Sequence, residues 1–64
     1  MHYVKIKTRV KIYMHDTDEN QRAEVFKLLS DRNINYRYIK CQTCISLQLK
    51  HEAIAKYITQ FMSK

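Results

Sequence analysis

The sequence alternates apolar and polar side chains from Tyr3 to Met14, and this pattern limits the fold more than any other feature of the chain. Alternation with a period of two is typical of a β-strand with one buried face, because successive side chains point to opposite faces. We therefore predict one strand over this range. Its buried face consists of Val4, Ile6, Val10, Ile12 and Met14. Its exposed face consists of Lys5, Lys7, Arg9, Lys11 and Tyr13.

A helix is predicted next, over about residues 17–32. The polar run before it provides a cap at Asp16 or Thr17, since these side chains accept hydrogen bonds from the free amides of a first turn. Asn33 is expected to end the helix, because asparagine tolerates the left-handed conformation. The apolar residues that recur along one side of this helix are Ala23, Val25, Phe26, Leu28 and Leu29.

Two strands and a second helix complete the predicted elements. Residues 34–41 and 44–50 favour strands, and the short link Gln42-Thr43 requires them to form an antiparallel hairpin. A helix is predicted over about residues 51–63. Its apolar residues follow the spacing of one helical face: Ile54, Tyr57, Ile58, Phe61 and Met62.

The expected fold is a single compact domain over residues 1–64, an α+β two-layer sandwich with elements in the order β-α-β-β-α. A right-handed crossover through the first helix would leave the first two strands parallel, giving a three-stranded mixed sheet with both helices on one face. The chain has no glycine and no proline, so we expect its turns to be made by Asn, Asp, Ser or Thr.

The net charge of +6 favours a polyanionic partner, either nucleic acid or an acidic protein surface. No apolar run approaches the roughly 18 residues that a membrane span needs, so we expect no membrane contact and a cytoplasmic location. Catalysis is not expected. His15, Asp16, Asp18 and Glu19 are the only dense group of acid–base side chains, and helix capping explains them more simply.

The basic face of the first strand is the candidate site. Alternate residues of a strand are about 7 Å apart, a spacing similar to that of phosphates along an extended nucleic-acid backbone. Aromatic rings beside such a row are typical of single-stranded RNA or DNA binding, in which bases stack on rings. The candidate residues are Lys5, Lys7, Arg9, Lys11, Tyr13 and Arg37, with Tyr3 as a further ring.

Two other interpretations of this basic face remain open. It could be a solvated surface whose charge prevents aggregation of a long edge strand. It could also serve a small protein-binding regulator or inhibitor, of the size typical of phage-encoded inhibitors, that acts on an acidic partner. A homodimer formed through an edge strand is a further expectation.

Cys41 and Cys44 form a C-x-x-C pair, which supplies half of a zinc site or a redox couple. A closed zinc site needs two more ligands, and His51 with His15 or His2 is the supply within the chain. A redox pair requires the first cysteine at a helix N-terminus, whereas this pair lies in a predicted hairpin. We therefore expect two ordinary thiols at a turn, with no metal and no cofactor.

Overall fold

A computed structural model describes residues 1–62 of the chain, except the side chain of Met62. The α+β class is confirmed, but the predicted β-α-β-β-α order with three strands is wrong, because the chain contains four strands in the order ββαββα. The last residue of the predicted second helix, Ser63, lies outside the described residues. The elements are β1 His2–Ile6, β2 Arg9–Tyr13, α1 Glu19–Asp31, β3 Tyr36–Lys40, β4 Ile45–Leu49 and α2 Glu52–Met62.

The predicted first strand is in fact a tight hairpin. β1 and β2 pair antiparallel, with Ile6 opposite Arg9, so that only Lys7 and Thr8 form the turn. Lys7 makes this turn with a φ of 55°. The left-handed region is uncommon for a residue with a Cβ, and lysine is not among the residues that we expected in turns. The hairpin was therefore not predicted from the alternation of apolar and polar residues.

The hairpin also changes which side chains share a face. Paired residues of an antiparallel ladder lie on the same face, so Ile6 points with Arg9 and Val4 points with Lys11. Lys5 lies opposite Val10 instead. The prediction that one face carries all the lysines of residues 3–14 is consequently wrong, since the two-residue turn shifts the alternation by one position.

The strands form one sheet in the order β1-β2-β4-β3, and every adjacent pair is antiparallel. The predicted mixed sheet is wrong because β4 lies between β2 and β3. These two strands run in the same direction, as a crossover through α1 requires, but they are not neighbours. β4 takes an inner position in the sheet, where Ser46, Leu47 and Leu49 are buried.

Both helices lie on one face of the sheet, as predicted, and a single apolar cluster joins the two layers. The register places the buried apolar residues of the strands on the same face, which we call the helix face. The cluster consists of Val10, Ile12, Met14, Val25, Leu29, Leu47, Leu49, Ala55 and Ile58.

The cap of α1 lies two residues after Asp16 and one residue after Thr17, the two predicted caps. Asp18 is the cap, and its carboxylate accepts a hydrogen bond from the Gln21 amide at 2.8 Å. The Gln21 side chain accepts from the Asp18 amide at 3.0 Å, which completes a capping box. At the other end Asn33 has a φ of 55°, and its amide donates to Ser30 O at 3.1 Å. The predicted end of the helix at asparagine is confirmed.

The predicted buried stripe of α2 is confirmed only in part: Ile58 is buried and Ile54 packs against the core, as expected. Ala55 and Ile58 are buried, whereas Tyr57 and Phe61 are 43% and 44% exposed and stack on each other at 6.1 Å. Part of the apolar face of α2 is therefore exposed.

Candidate nucleic-acid interface

The sheet face that points away from the helices carries the candidate site, and we call it the open face. The strand registers determine its members, because a residue and its partner on the next strand lie on the same face. These residues are His2, Val4, Ile6, Arg9, Lys11, Tyr13, Arg37, Ile39, Ser46 and Gln48. No other element of residues 1–62 covers this face.

Four of the six predicted binding residues lie on the open face. Lys11 is opposite Gln48, and Gln48 is opposite Arg37, so the two cations occupy one row that crosses the sheet. Because neighbouring strands are about 4.8 Å apart, their backbones are separated by about 10 Å. Arg9 lies about 7 Å from Lys11 along β2. The face thus presents three cations at two different spacings.

The other two predicted cations lie elsewhere. Lys5 is on the helix face, where its Nζ lies 3.6 Å from Glu52 Oε1 of α2. Both side chains of that pair are largely exposed, so the contact adds little stability. Lys7 lies in the β1–β2 turn and lines the same shallow depression as Arg9 and Lys11. Lys5 therefore does not belong to the candidate site, whereas Lys7 lies at its border.

The rings of the site also differ from the prediction. Tyr13 is on the open face as expected, and His2 stacks on it with a centroid distance of 4.9 Å. Lys11 Nζ lies 5.1 Å from the centre of the Tyr13 ring, within cation–π distance. Tyr3 instead lies on the helix face and packs against the core. His2 was missed because its position opposite Tyr13 depends on the hairpin.

Lys50 and Asn35 extend the site at the end of the sheet where Arg9 lies. They line a cavity of about 290 Å³ together with Arg9, Arg37 and Gln48. Neither residue was predicted, because each lies just outside a strand and the strand order was needed to bring them together. The cavity adds a fourth cation to this end of the open face.

The acidic residues of the protein lie outside the sheet, whereas basic residues lie in both layers. All six acidic residues lie at positions 16, 18, 19, 24, 31 and 52, in α1, in the segment before it or at the start of α2. None of the open-face residues, which all belong to the described part of the chain, is acidic. The positive potential of the sheet layer is therefore not reduced by carboxylates on the same face.

The acidic segment before α1 has structural contacts. Asp18 caps the helix, and Asp16 Oδ2 accepts a hydrogen bond from the amino group of Met1. That hydrogen bond is the main reason why the pKa of Asp16 lies below its usual value. Within residues 1–62 no group of three or more His, Cys, Asp or Glu side chains is arranged to hold a metal ion.

The two cysteines are joined, contrary to the expectation of free thiols. A disulfide links Cys41 to Cys44 across the β3–β4 turn, and the Cys41 amide donates to Cys44 O at 2.9 Å. The bridge is exposed and lies at the opposite end of the sheet from the Lys7-Thr8 turn. The three histidines do not gather around it: His2 and His15 make an edge contact with each other at 6.4 Å, next to Tyr13.

The chain matches no known family model, and neither a curated protein nor a solved structure is significantly similar to it. In the described residues neither helix combines the length and apolar character of a membrane span. Inferences about function therefore depend on the geometry of the chain alone.

Proposed function

We propose that the protein is a non-enzymatic module that binds single-stranded RNA or DNA through the open face. The observation that supports this best is the charge of that face, which carries Arg9, Lys11 and Arg37 without any carboxylate. The cations would neutralise phosphates, which supply most of the affinity of nonspecific nucleic-acid binding. This function predicts strong salt dependence and weak sequence preference.

The rings support a single-stranded ligand. Tyr13 lies next to Lys11 and is stacked by His2, so a ring pair and a cation lie side by side on the open face, with His2 exposed and the other two half-buried. Unpaired bases can stack on rings that are accessible at such a surface while the backbone follows the cations, whereas bases inside a duplex are already stacked. The open face is also a sheet surface without a projecting helix, and grooves of B-DNA are usually read by a helix or a ribbon.

A matched pair of double variants tests the proposal. Replacing Lys11 and Arg37 by glutamine removes two cations from the open face. Replacing Lys27 and Lys56 by glutamine removes the same charge from exposed positions of α1 and α2. Affinity for a fluorescent oligonucleotide of mixed sequence should be measured by anisotropy over a range of salt concentrations. The first variant should bind more weakly, and its salt slope should fall by about 1.4, since each single-strand phosphate contributes about 0.7.

The control variant should retain most of the affinity of the unmodified protein, and its salt slope should equal that of the unmodified protein. Equal losses in the two variants would indicate that only net charge matters and that the open face is a solvated surface. Absence of binding by the unmodified protein at low salt would reject the nucleic-acid proposal. Melting temperatures of both variants must stay close to that of the parent, because all four side chains are outside the core.

A second candidate function is a small regulator that binds an acidic protein. The observation that favours it is the edge strand β1, which has a free edge and exposes Val4 and Ile6 to 38% and 49%. An extended segment of a partner could pair with this edge while its carboxylates contact the cations nearby. A second copy of the chain could use the same edge to form a dimer.

Nuclease treatment and two apolar substitutions distinguish these functions. If a protein is bound, the complex survives nuclease, and replacing Val4 and Ile6 by threonine weakens it. If nucleic acid is bound, nuclease removes the ligand, and these substitutions leave oligonucleotide affinity nearly unchanged because they retain every charge.

We also propose that the protein is located in the cytoplasm, where cellular thiols would keep Cys41 and Cys44 reduced.

A further inference from the structure

A cleft between α1 and β3 lies on the helix face, away from the open face. Its volume is about 220 Å³, which is smaller than the usual site of a drug-sized ligand. The lining consists of Glu19, Arg22, Ala23, Phe26, Tyr38 and Lys40. The cleft is thus lined by two cations, one carboxylate and two aromatic rings.

Arg22 is the unusual residue of this cleft, because it is only 7% exposed. Its Nη1 donates to Thr17 O at 2.6 Å and to Thr17 Oγ1 at 3.1 Å. No carboxylate of residues 1–62 is within ion-pair distance of its guanidinium group. Charged side chains are rarely buried to this degree without an ion-pair partner. A guanidinium has five N–H donors, and both bonds to Thr17 use one nitrogen.

The remaining lining residues make the cleft suitable for a small anion. Lys40 lies at the end of β3 on the same sheet face as Tyr38, so its charge adds to that of Arg22. The rings of Phe26 and Tyr38 meet edge to face at 4.8 Å and form the apolar wall. Glu19 lies in the first turn of α1 and opposes an anion, but the cations still outnumber it.

We propose that this cleft binds a phosphate-sized oxyanion, in the form of a phosphate monoester. The fork of Arg22 matches two oxygens of a tetrahedral anion, and Lys40 supplies a second positive charge. The small volume admits the phosphate itself and leaves the esterified group outside. Two sources share this chemistry: a small phosphorylated molecule and the terminal phosphate of a nucleic acid. The inference is independent of binding at the open face, since the two sites share no residue.

The first experiment titrates the protein with inorganic phosphate at constant ionic strength and follows the backbone amide resonances. Saturable shifts with a 1:1 stoichiometry are expected around Arg22 and Lys40. Lys40→Gln should weaken binding by about threefold to fivefold, and Glu19→Gln should strengthen it by up to about fivefold. Lys56→Gln, which removes an exposed charge from α2, should have no effect. A gain of affinity in Glu19→Gln is informative because loss of folding does not produce it.

Arg22→Lys retains the charge but removes the planar fork, and we expect it to weaken phosphate binding at least tenfold. An unchanged amide spectrum outside the cleft verifies that this variant is folded. Absence of saturable binding at millimolar phosphate would overturn the proposal. So would equal effects of Lys40→Gln and Lys56→Gln, because they would show that only net charge attracts the anion.

The second experiment identifies the source of the phosphate. Two oligonucleotides of the same sequence are compared, one with a 5′-phosphate and one with a 5′-hydroxyl. Tighter binding of the phosphorylated strand that Lys40→Gln abolishes would support a nucleic-acid terminus. Equal affinities, together with saturable binding of inorganic phosphate, would support a small phosphorylated molecule. The Lys11 and Arg37 variant should leave phosphate binding in the cleft unchanged, which separates this inference from the proposed function.

Discussion

The packing of α2 leads to a prediction that distinguishes two ways of placing this helix on the sheet. Its apolar spacing suggested that Phe61 is buried, and a buried phenylalanine truncated to alanine costs about 3–5 kcal/mol. In the structure Phe61 is 44% exposed, whereas Ile58 is 1% exposed and belongs to the core. We therefore expect Ile58→Ala to be the more damaging substitution, although isoleucine is the smaller residue.

The expected magnitudes follow from these exposures. Complete truncation of a buried isoleucine costs about 2–5 kcal/mol, because the lost transfer energy adds to the cost of a cavity. Full burial of a phenylalanine side chain contributes about 1.5–3 kcal/mol, so a ring buried by roughly half contributes about 1 kcal/mol. Stacking of Phe61 on Tyr57 at 6.1 Å can add up to about 1 kcal/mol. A domain of this length has a total stability of about 3–10 kcal/mol.

Urea unfolding followed by far-UV circular dichroism measures the difference. Ile58→Ala should lower the denaturant midpoint strongly, or unfold the protein, while Phe61→Ala should lower it by a smaller amount at an unchanged slope. An equal or larger loss for Phe61→Ala would refute the packing described here. It would mean that α2 is rotated about its axis, so that its Phe61 side faces the sheet.

Four further predictions concern the β1–β2 turn, the stability at low pH, the disulfide and metal binding. Lys7→Asn should stabilise the protein by about 0.5–1 kcal/mol, because asparagine tolerates the left-handed turn conformation at φ 55°. The melting temperature should rise by a few degrees. Lys7→Gln, which removes the same charge, should give no such gain. The pKa of Asp16 is lowered by its hydrogen bond from the Met1 amino group. This contact therefore stabilises the fold at pH values above the ordinary pKa of 3.8, and the stabilisation is lost as the pH falls through the lower pKa that Asp16 has in the folded state. Asp16→Asn should therefore make the free energy of unfolding less dependent on pH at low pH, and an unchanged pH dependence would contradict this. Reduction of Cys41–Cys44 should cost no more than about 2 kcal/mol, because the closed loop is very short, and denaturant midpoints with and without a phosphine reductant measure it. A chelator should leave the melting temperature unchanged, whereas stoichiometric zinc in the purified protein would argue against this prediction.

Local patterns were sufficient for the helices and for the β3–β4 hairpin. Both helices have an apolar stripe of helical period, and the ends of α1 were indicated by the polar run before it and by Asn33 after it, although the cap is Asp18 and not Asp16 or Thr17. The link through Gln42 and Thr43 was short enough to require an antiparallel pair. Such features depend on residues close together in the chain, so they can be recognised without the rest of the fold.

The site was predicted in part, for the same reason. Arg9, Lys11 and Tyr13 alternate within one strand, and their common face follows from the period of two alone. Lys5 was assigned wrongly because the apolar residues occupy even positions both before and after the Lys7-Thr8 turn, as they would in one continuous strand. The polar Thr8 at an apolar position is the one break in the alternation, and the turn contains neither glycine nor asparagine.

By itself, then, the sequence determined an α+β chain with two amphipathic helices and a strongly basic N-terminal segment, because local periodicity and composition carry that information. The tertiary structure alone decided which charges lie together. Because β1 pairs with β2, Lys5 lies on the helix face and His2 stacks on Tyr13. Because β4 lies between β2 and β3, Arg37 lies in the same row across the sheet as Lys11. Burial of Arg22 beside Lys40 likewise required α1 to pack against β3. The β2–β4 pairing joins segments that are distant in the chain, and its free energy comes from burying apolar surface of both strands at once, which no local pattern specifies. The β1–β2 hairpin is local, but its turn contains neither glycine nor asparagine.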